Sequence, residues 1–142
     1  MGFPDRIERS VRVDKPLEQV WTAITTAEGL ASWFGTGAEI DLRVGGAAKL
    51  TWDTGDAAQL RIVRLEPKTV FGYTWGINGL ADSDPRRTYV EFTLTPDDAG
   101  TTVTVVESGF AQLEADDYTK AFDGNTKGWA AELDELVAYL GG

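Results

Sequence analysis

Between residues 38 and 108 the apolar side chains recur at nearly every second position, and from Tyr118 to Leu140 they recur at every third or fourth. The first period belongs to a strand, whose side chains alternate between two faces, and the second to a helix, which returns to one face after about 3.6 residues. A chain patterned this way is constrained to an antiparallel sheet with one apolar face and a single long helix to cover it.

The elements follow from the same spacing. Residues 7–13 set Ile7, Val11 and Val13 among polar neighbours and predict a half-buried first strand. The segment DKPLEQVWTAIT then places Pro16 in a first helical turn and Leu17, Val20, Trp21 and Ile24 on one face, as a short amphipathic helix requires. A second short helix is predicted over 27–34, presenting Leu30, Trp33 and Phe34 before Gly35 and Gly37 stop it. Ala38, Ile40, Leu42 and Val44 predict a strand that turns tightly at Gly45-Gly46 and returns through Ala48, Leu50 and Trp52. Turn residues at 53–56, 66–68 and 96–100 separate further runs at 59–65, 69–75, 87–95 and 101–108, giving six strands after the helices. In the last helix Asp116 or Asp117 is expected as N-cap and Gly141 as the stop. Gly124 and Gly128, inside that helix, predict a kink or a close approach of its backbone to a neighbour.

At 142 residues the chain is expected to form a single domain. It contains no Cys and no His, which removes disulfides, thiolate nucleophiles, Cys or His zinc sites and the Ser-His-Asp triad. Its net charge of −10 opposes nucleic acid and anionic lipid surfaces, and no apolar run approaches the roughly 18 residues that would insert into a membrane. Neither a signal-peptide core nor a myristoylation motif is found at the N-terminus, so a cytoplasmic location is expected. Residues 96–142 hold ten acids and two bases, either a solvated acidic face or a docking surface for a basic protein partner. No cofactor motif is present, and the carboxylates of Glu114, Asp116 and Asp117 read as capping and solvating groups, so neither a cofactor nor a metal is expected.

The segments IERSVRVDKPLEQVWTAITTAEGLASWF, DLRVGG, VFGYTW, GTTVTVVESGF and KGWAAELDELVAYL, in this order along nearly the whole chain, resemble the bacterial proteins related to the activator of the heat-shock protein 90 ATPase. That family lies in the START-like, birch-pollen-allergen (SRPBCC) superfamily. The resemblance implies an α+β helix-grip fold, in which a curved antiparallel sheet of about seven strands wraps around a long C-terminal helix, with two short helices after the first strand. It also implies a scaffold shared by lipid carriers, hydrophobic-ligand binders, cyclases and co-chaperone domains.

In such a fold a cavity is expected between the sheet and the long helix, and strand parity indicates its lining. Phe71, Tyr73 and Trp75 share one face of their strand, with Val90, Phe92 and Leu94 and then Val103, Val105 and Glu107 inward on the next two. The helix opposes them with Tyr118, Phe122 and Trp129. Trp33 and Phe34, beside two glycines, and Phe110, after Ser108-Gly109, are expected as aromatic lips of a mobile entrance, and Trp52 joins the lining. The rings read either as a filled core or as the wall of a ligand pocket, and five Trp favour the pocket. Glu107 is expected either to orient a polar ligand head, or to act as acid or base, or to sit in water at the rim.

The favoured function is non-catalytic binding of a small hydrophobic or amphipathic ligand. A stress-related co-chaperone-like interaction module is the alternative, followed by a cyclase or hydratase using Glu107 with Tyr73.

Overall fold

The structure is a computed structural model that describes residues 6–77 and 85–141, apart from the side chains of Ala111, Ala115 and Asp117. Its elements run β1 (Arg6–Val13), α1 (Leu17–Thr25), α2 (Ala27–Trp33), β2 (Gly37–Ile40), β3 (Ala47–Thr51), β4 (Ala57–Glu66), β5 (Val70–Gly76), β6 (Arg87–Pro96), β7 (Thr101–Ser108), a short 3₁₀ turn (Phe110–Gln112) and α3 (Ala115–Leu140).

The strands form one seven-stranded antiparallel sheet in the order β1-β7-β6-β5-β4-β3-β2. Consecutive strands therefore pair as a meander from β2 to β7, and β1 returns to the far edge against β7, with Ile7 opposite Glu107 and Val13 opposite Thr101. Alternation sorts the side chains as the sequence predicts. Val90, Phe92 and Leu94 of β6 and Val103 and Val105 of β7 are buried, whereas the residues between them are partly exposed. Arg61, Arg64 and Glu91 point to the outer face, where Arg64 Nη1 donates to Glu91 at 2.9 Å and the Tyr89 hydroxyl donates to the same oxygen at 2.8 Å. Gly72 of β5 lies beneath that Tyr89 ring, and a Cβ there would run into the phenol oxygen.

The two short helices pack at one end of the sheet. Thr26 caps α2 by accepting from the backbone N–H of Gly29 at 3.0 Å, and Gly29 is tight against α1, since a Cβ would meet the Ala23 carbonyl oxygen at 2.6 Å. Helix α3 lies over the inner face with Tyr118, Ala121, Trp129, Leu133, Leu136 and Leu140 buried. Each such side chain contributes on the order of 2 kcal/mol of hydrophobic stabilisation.

Three local expectations are corrected. Strand β2 stops at Ile40, and residues 41–46 form a loop instead of a tight turn, leaving Leu42 40% and Val44 62% exposed. The reason is pairing: the Gly45 and Gly46 backbones exchange hydrogen bonds with Ile62 of β4, at 2.8 and 2.9 Å, where that strand's register shifts. Helix α3 begins at Ala115 after Glu114, earlier than the Asp116 or Asp117 cap expected, because Tyr118 N–H already donates to the Glu114 carbonyl at 2.8 Å. Gly128 makes no close approach: a Cβ there would meet nothing within 4 Å.

Candidate functional site

Strand parity, the end of α2 with the residue that follows it, and α3 deliver eight rings to one interior. Phe34 is central, with ring centroids 5.0 Å from Trp33, 5.5 Å from Trp129, 5.9 Å from Trp75 and 6.1 Å from Trp52. Tyr73 lies 5.3 Å from Trp75 and 5.5 Å from Phe71, and Phe92 lies 5.6 Å from Trp129. These spacings are those of rings in direct edge or offset contact. Phe110, Phe122 and Tyr118 form a second group at the start of α3, 5.2 to 5.3 Å apart.

Trp33, Phe34 and Phe110 are not lips at a solvent-facing entrance, because each is 5% exposed or less. Their surroundings hold them in: Trp33 Nε1 donates to the Ala23 carbonyl at 2.8 Å, and Gln112 Nε2 bonds the Gly109 and Arg87 carbonyls beside Phe110. The half-buried members are Trp52, Trp75 and Phe122, joined on α3 by Asn125, Gly128 and Glu132, and these mark where the interior approaches solvent.

Glu107 is wholly buried and does not sit at the rim. Its carboxylate accepts from four side chains on three elements. At Oε2 the donors are Trp75 Nε1 at 2.8 Å and the Thr88 hydroxyl at 2.5 Å, and at Oε1 they are Asn125 Nδ2 and Trp129 Nε1, both at 2.9 Å. Indole N–H groups only donate, so both oxygens are held as acceptors. No cation is among these partners, and the charge is compensated by converging neutral dipoles.

Beside this satisfied carboxylate stand two unsatisfied groups. Among the described residues, the Tyr73 hydroxyl and Glu132 Oε2 are the buried side-chain polar atoms with no hydrogen-bond partner in the protein. Burial, then the charges of Glu107 and Glu132, hold the Tyr73 phenol un-ionised far above its ordinary range. Burial also pushes the Glu132 carboxyl from its ordinary 4.5 up to about 7, with the charge of Glu135 adding to the effect. Two polar atoms lacking partners, within electrostatic reach of each other and next to an aromatic wall, form a polar end that the chain itself leaves incomplete.

Thr88 is a site residue that continues the inward parity of Val90, Phe92 and Leu94 one step further, whereas Asn125 and Glu132 are site residues that strand parity and ring content do not single out. Asn125, Trp129, Glu132 and Leu136 fall at i, i+4, i+7 and i+11 of α3, so the two polar residues lie on the stripe of the buried Trp129 and Leu136. That spacing is the signal that identifies them. The described residues hold no group of three or more carboxylates placed to bind a metal ion, and no helix among them is long and apolar enough to cross a membrane.

A seven-stranded antiparallel sheet gripping a long C-terminal helix, with two short helices after the first strand, is the helix-grip fold, a fold that commonly binds hydrophobic ligands. The family model described as Activator of Hsp90 ATPase homolog 1-like protein matches residues 14–141, and the chain belongs to that family. Among solved structures it is similar to protein MLL2253 from Mesorhizobium loti, at 27% identity over 95% of this chain and 96% of that one, with a TM-score of 0.81. CalU16 from Micromonospora echinospora is 26% identical over 96% of this chain and 76% of its own, with a TM-score of 0.74. An Aha1 dimer from Colwellia psychrerythraea shares the fold at 21% identity, covering 95% of each chain with a TM-score of 0.74. No curated protein matches the chain.

Proposed function

We propose that the protein binds a small hydrophobic or amphipathic ligand between the inner sheet face and α3, without catalysing its conversion. The observation that carries this reading is the Tyr73 hydroxyl, 1% exposed as a residue and without a partner inside an aromatic interior. A buried hydroxyl left unpaired costs about 1–3 kcal/mol, a cost that a guest's polar group removes. The rings supply the apolar wall, with Phe71, Tyr73, Trp75 and Phe92 from the sheet, Trp33, Phe34 and Trp52 from the opposite end, and Tyr118, Phe122 and Trp129 from the helix. Val103 and Val105 stand on the same sheet face opposite Leu94 and Phe92, Phe110 packs against Phe122, and Glu107 positions Trp75 and Trp129 through its hydrogen bonds. Catalysis ranks lower because the four donors occupy both Glu107 oxygens, leaving that carboxylate engaged where an acid or base must be free to exchange a proton.

The test is an NMR titration of delipidated protein with neutral, cationic and anionic amphiphiles, following the indole N–H signals of Trp75 and Trp129, with native mass spectrometry for a co-purified guest. Saturable shifts of those two signals support the reading. Signals unmoved by every compound, together with no bound guest, remove it.

A second reading draws on the exposed Asp116, Asp123, Asp134 and Glu135 of α3, which offer an acidic face to a basic protein surface. It predicts salt-sensitive capture of a chaperone that is lost when Asp134 and Glu135 are both changed to Lys. Capture unaffected by that change excludes this face.

A further inference from the structure

The interior carries two carboxylates, and they differ in what they lack. Glu107 is saturated by neutral donors, whereas Glu132 Oε2 and the neighbouring Tyr73 hydroxyl have no partner in the protein. Among the described residues, the charges acting on Tyr73 and on Glu132 are all carboxylates. Once ionised, Glu132 only accepts hydrogen bonds, and the Tyr73 hydroxyl can accept as well as donate, so a guest that donates completes both groups, and it enters a region of negative potential. An anionic head is repelled there, a hydroxyl is tolerated, and a cation is attracted.

The aromatic wall selects in the same direction. Trp75 and Trp129 stack with centroids 5.7 Å apart, and Tyr73 sits 5.3 Å from Trp75, so aromatic rings crowd the Tyr73 end of the interior. Ring faces attract ammonium groups and do nothing comparable for carboxylates. Gly128, between Asn125 and Glu132 on the same helix surface, has nothing within 4 Å of where a Cβ would lie, so the flank of α3 is open there.

We propose that the ligand is an amine, a protonated primary ammonium on an apolar body, whose N–H groups bond Glu132 Oε2 and the Tyr73 oxygen while the adjoining carbons lie against Trp75 and Trp129. The inference rests on the ligand-binding reading above and narrows it to one head-group chemistry. Glu132 supplies the countercharge, Tyr73 fixes the direction of approach, and Glu107 acts as a positioning residue that holds the two indoles edge-on to itself.

Three probes with the same chain decide it: decylamine, decanol and decanoic acid, titrated at about pH 8, where the Glu132 carboxyl is ionised and the amine is protonated. Decylamine is expected to bind about tenfold more tightly than decanol, with decanoic acid the weakest. In the Glu132→Gln protein the amine falls to within about threefold of decanol while decanol affinity is unchanged. Asp134→Asn, at an exposed acid two residues away, leaves the amine preference intact and separates the site from general attraction to an acidic surface. Decanoic acid binding as tightly as the amine, or an amine preference that survives Glu132→Gln, overturns the head-group assignment while leaving ligand binding in place. Saturation by none of the three removes ligand binding itself, and the assignment with it.

Discussion

Glu107 and Glu132 are both carboxylates facing the core from opposite sides of the interior, one on β7 and the other on α3, yet their surroundings have opposite characters. Around Glu107 the chain spends two indoles, an amide and a hydroxyl on one buried charge, and nothing is left over. Around Glu132 and Tyr73, where the interior approaches solvent, two buried polar atoms are left without partners. A protein that can saturate one buried carboxylate so fully has the means to saturate another, so the contrast separates a structural centre from a place kept for a guest.

Removing the saturated centre is expected to give the largest effect. Glu107→Ala strands the N–H groups of Trp129 and Asn125, leaves Trp75 only its longer bond to the Thr88 hydroxyl at 3.1 Å, and should cost about 3–5 kcal/mol, read as a fall in the urea midpoint. A variant within about 1 kcal/mol of the parent would mean that the indoles find other acceptors, and the comparison would collapse.

Across the interior the response should run the other way. The Glu132 carboxyl is raised from 4.5 to about 7, so the folded state holds its proton more tightly than the unfolded chain does. Between those values the folded state carries the extra proton, and stability falls as pH rises through the window. Because this side chain is partly solvated, the loss is on the order of 1 kcal/mol. Denaturation at pH steps across that window should show the slope in the parent protein and its absence in Glu132→Gln, which becomes the more stable of the two above about pH 7.

Tyr73→Phe sharpens the same point, since it deletes a hydroxyl that bonds to nothing in the protein. Stability should stay level or rise by up to about 1 kcal/mol while affinity for a hydrogen-bonding guest falls. A marked loss of stability would show that the hydroxyl is satisfied in the folded protein.

Smallest of all is Gly128→Ala on the open flank of α3. The added methyl meets nothing, and the helix should gain about 0.5–1 kcal/mol, measured as a higher thermal midpoint.

Most of the architecture was legible because periodicity is a local property. The alternation of Phe71, Tyr73 and Trp75, or of Val103, Val105 and Glu107, requires only that a strand show two faces, and the helical stripe ending at Leu140 requires only that a helix turn about 3.6 residues per repeat. What escaped depends on distant pairing. Leu42 and Val44 continue the strand pattern, yet the chain leaves the β2 pairing at Ile40 because Gly45 and Gly46 bond to Ile62 of another strand. Trp33, Phe34 and Phe110 look like lips beside glycines, yet packing of α2 and of the 3₁₀ turn carries them inside.

The sequence by itself determined the order of elements, the shared face of Phe71, Tyr73 and Trp75 and the presence of one carboxylate among apolar groups, since these follow from side-chain spacing along a single segment, while the orientation of Arg61, Arg64 and Glu91 stayed open. Only the tertiary structure decided that Glu107 is saturated and Glu132 is not. Hydrogen-bond partnership is settled across β5, β6, β7 and α3 at once, within about 3 Å, and no spacing along one strand or helix encodes which donors will converge there.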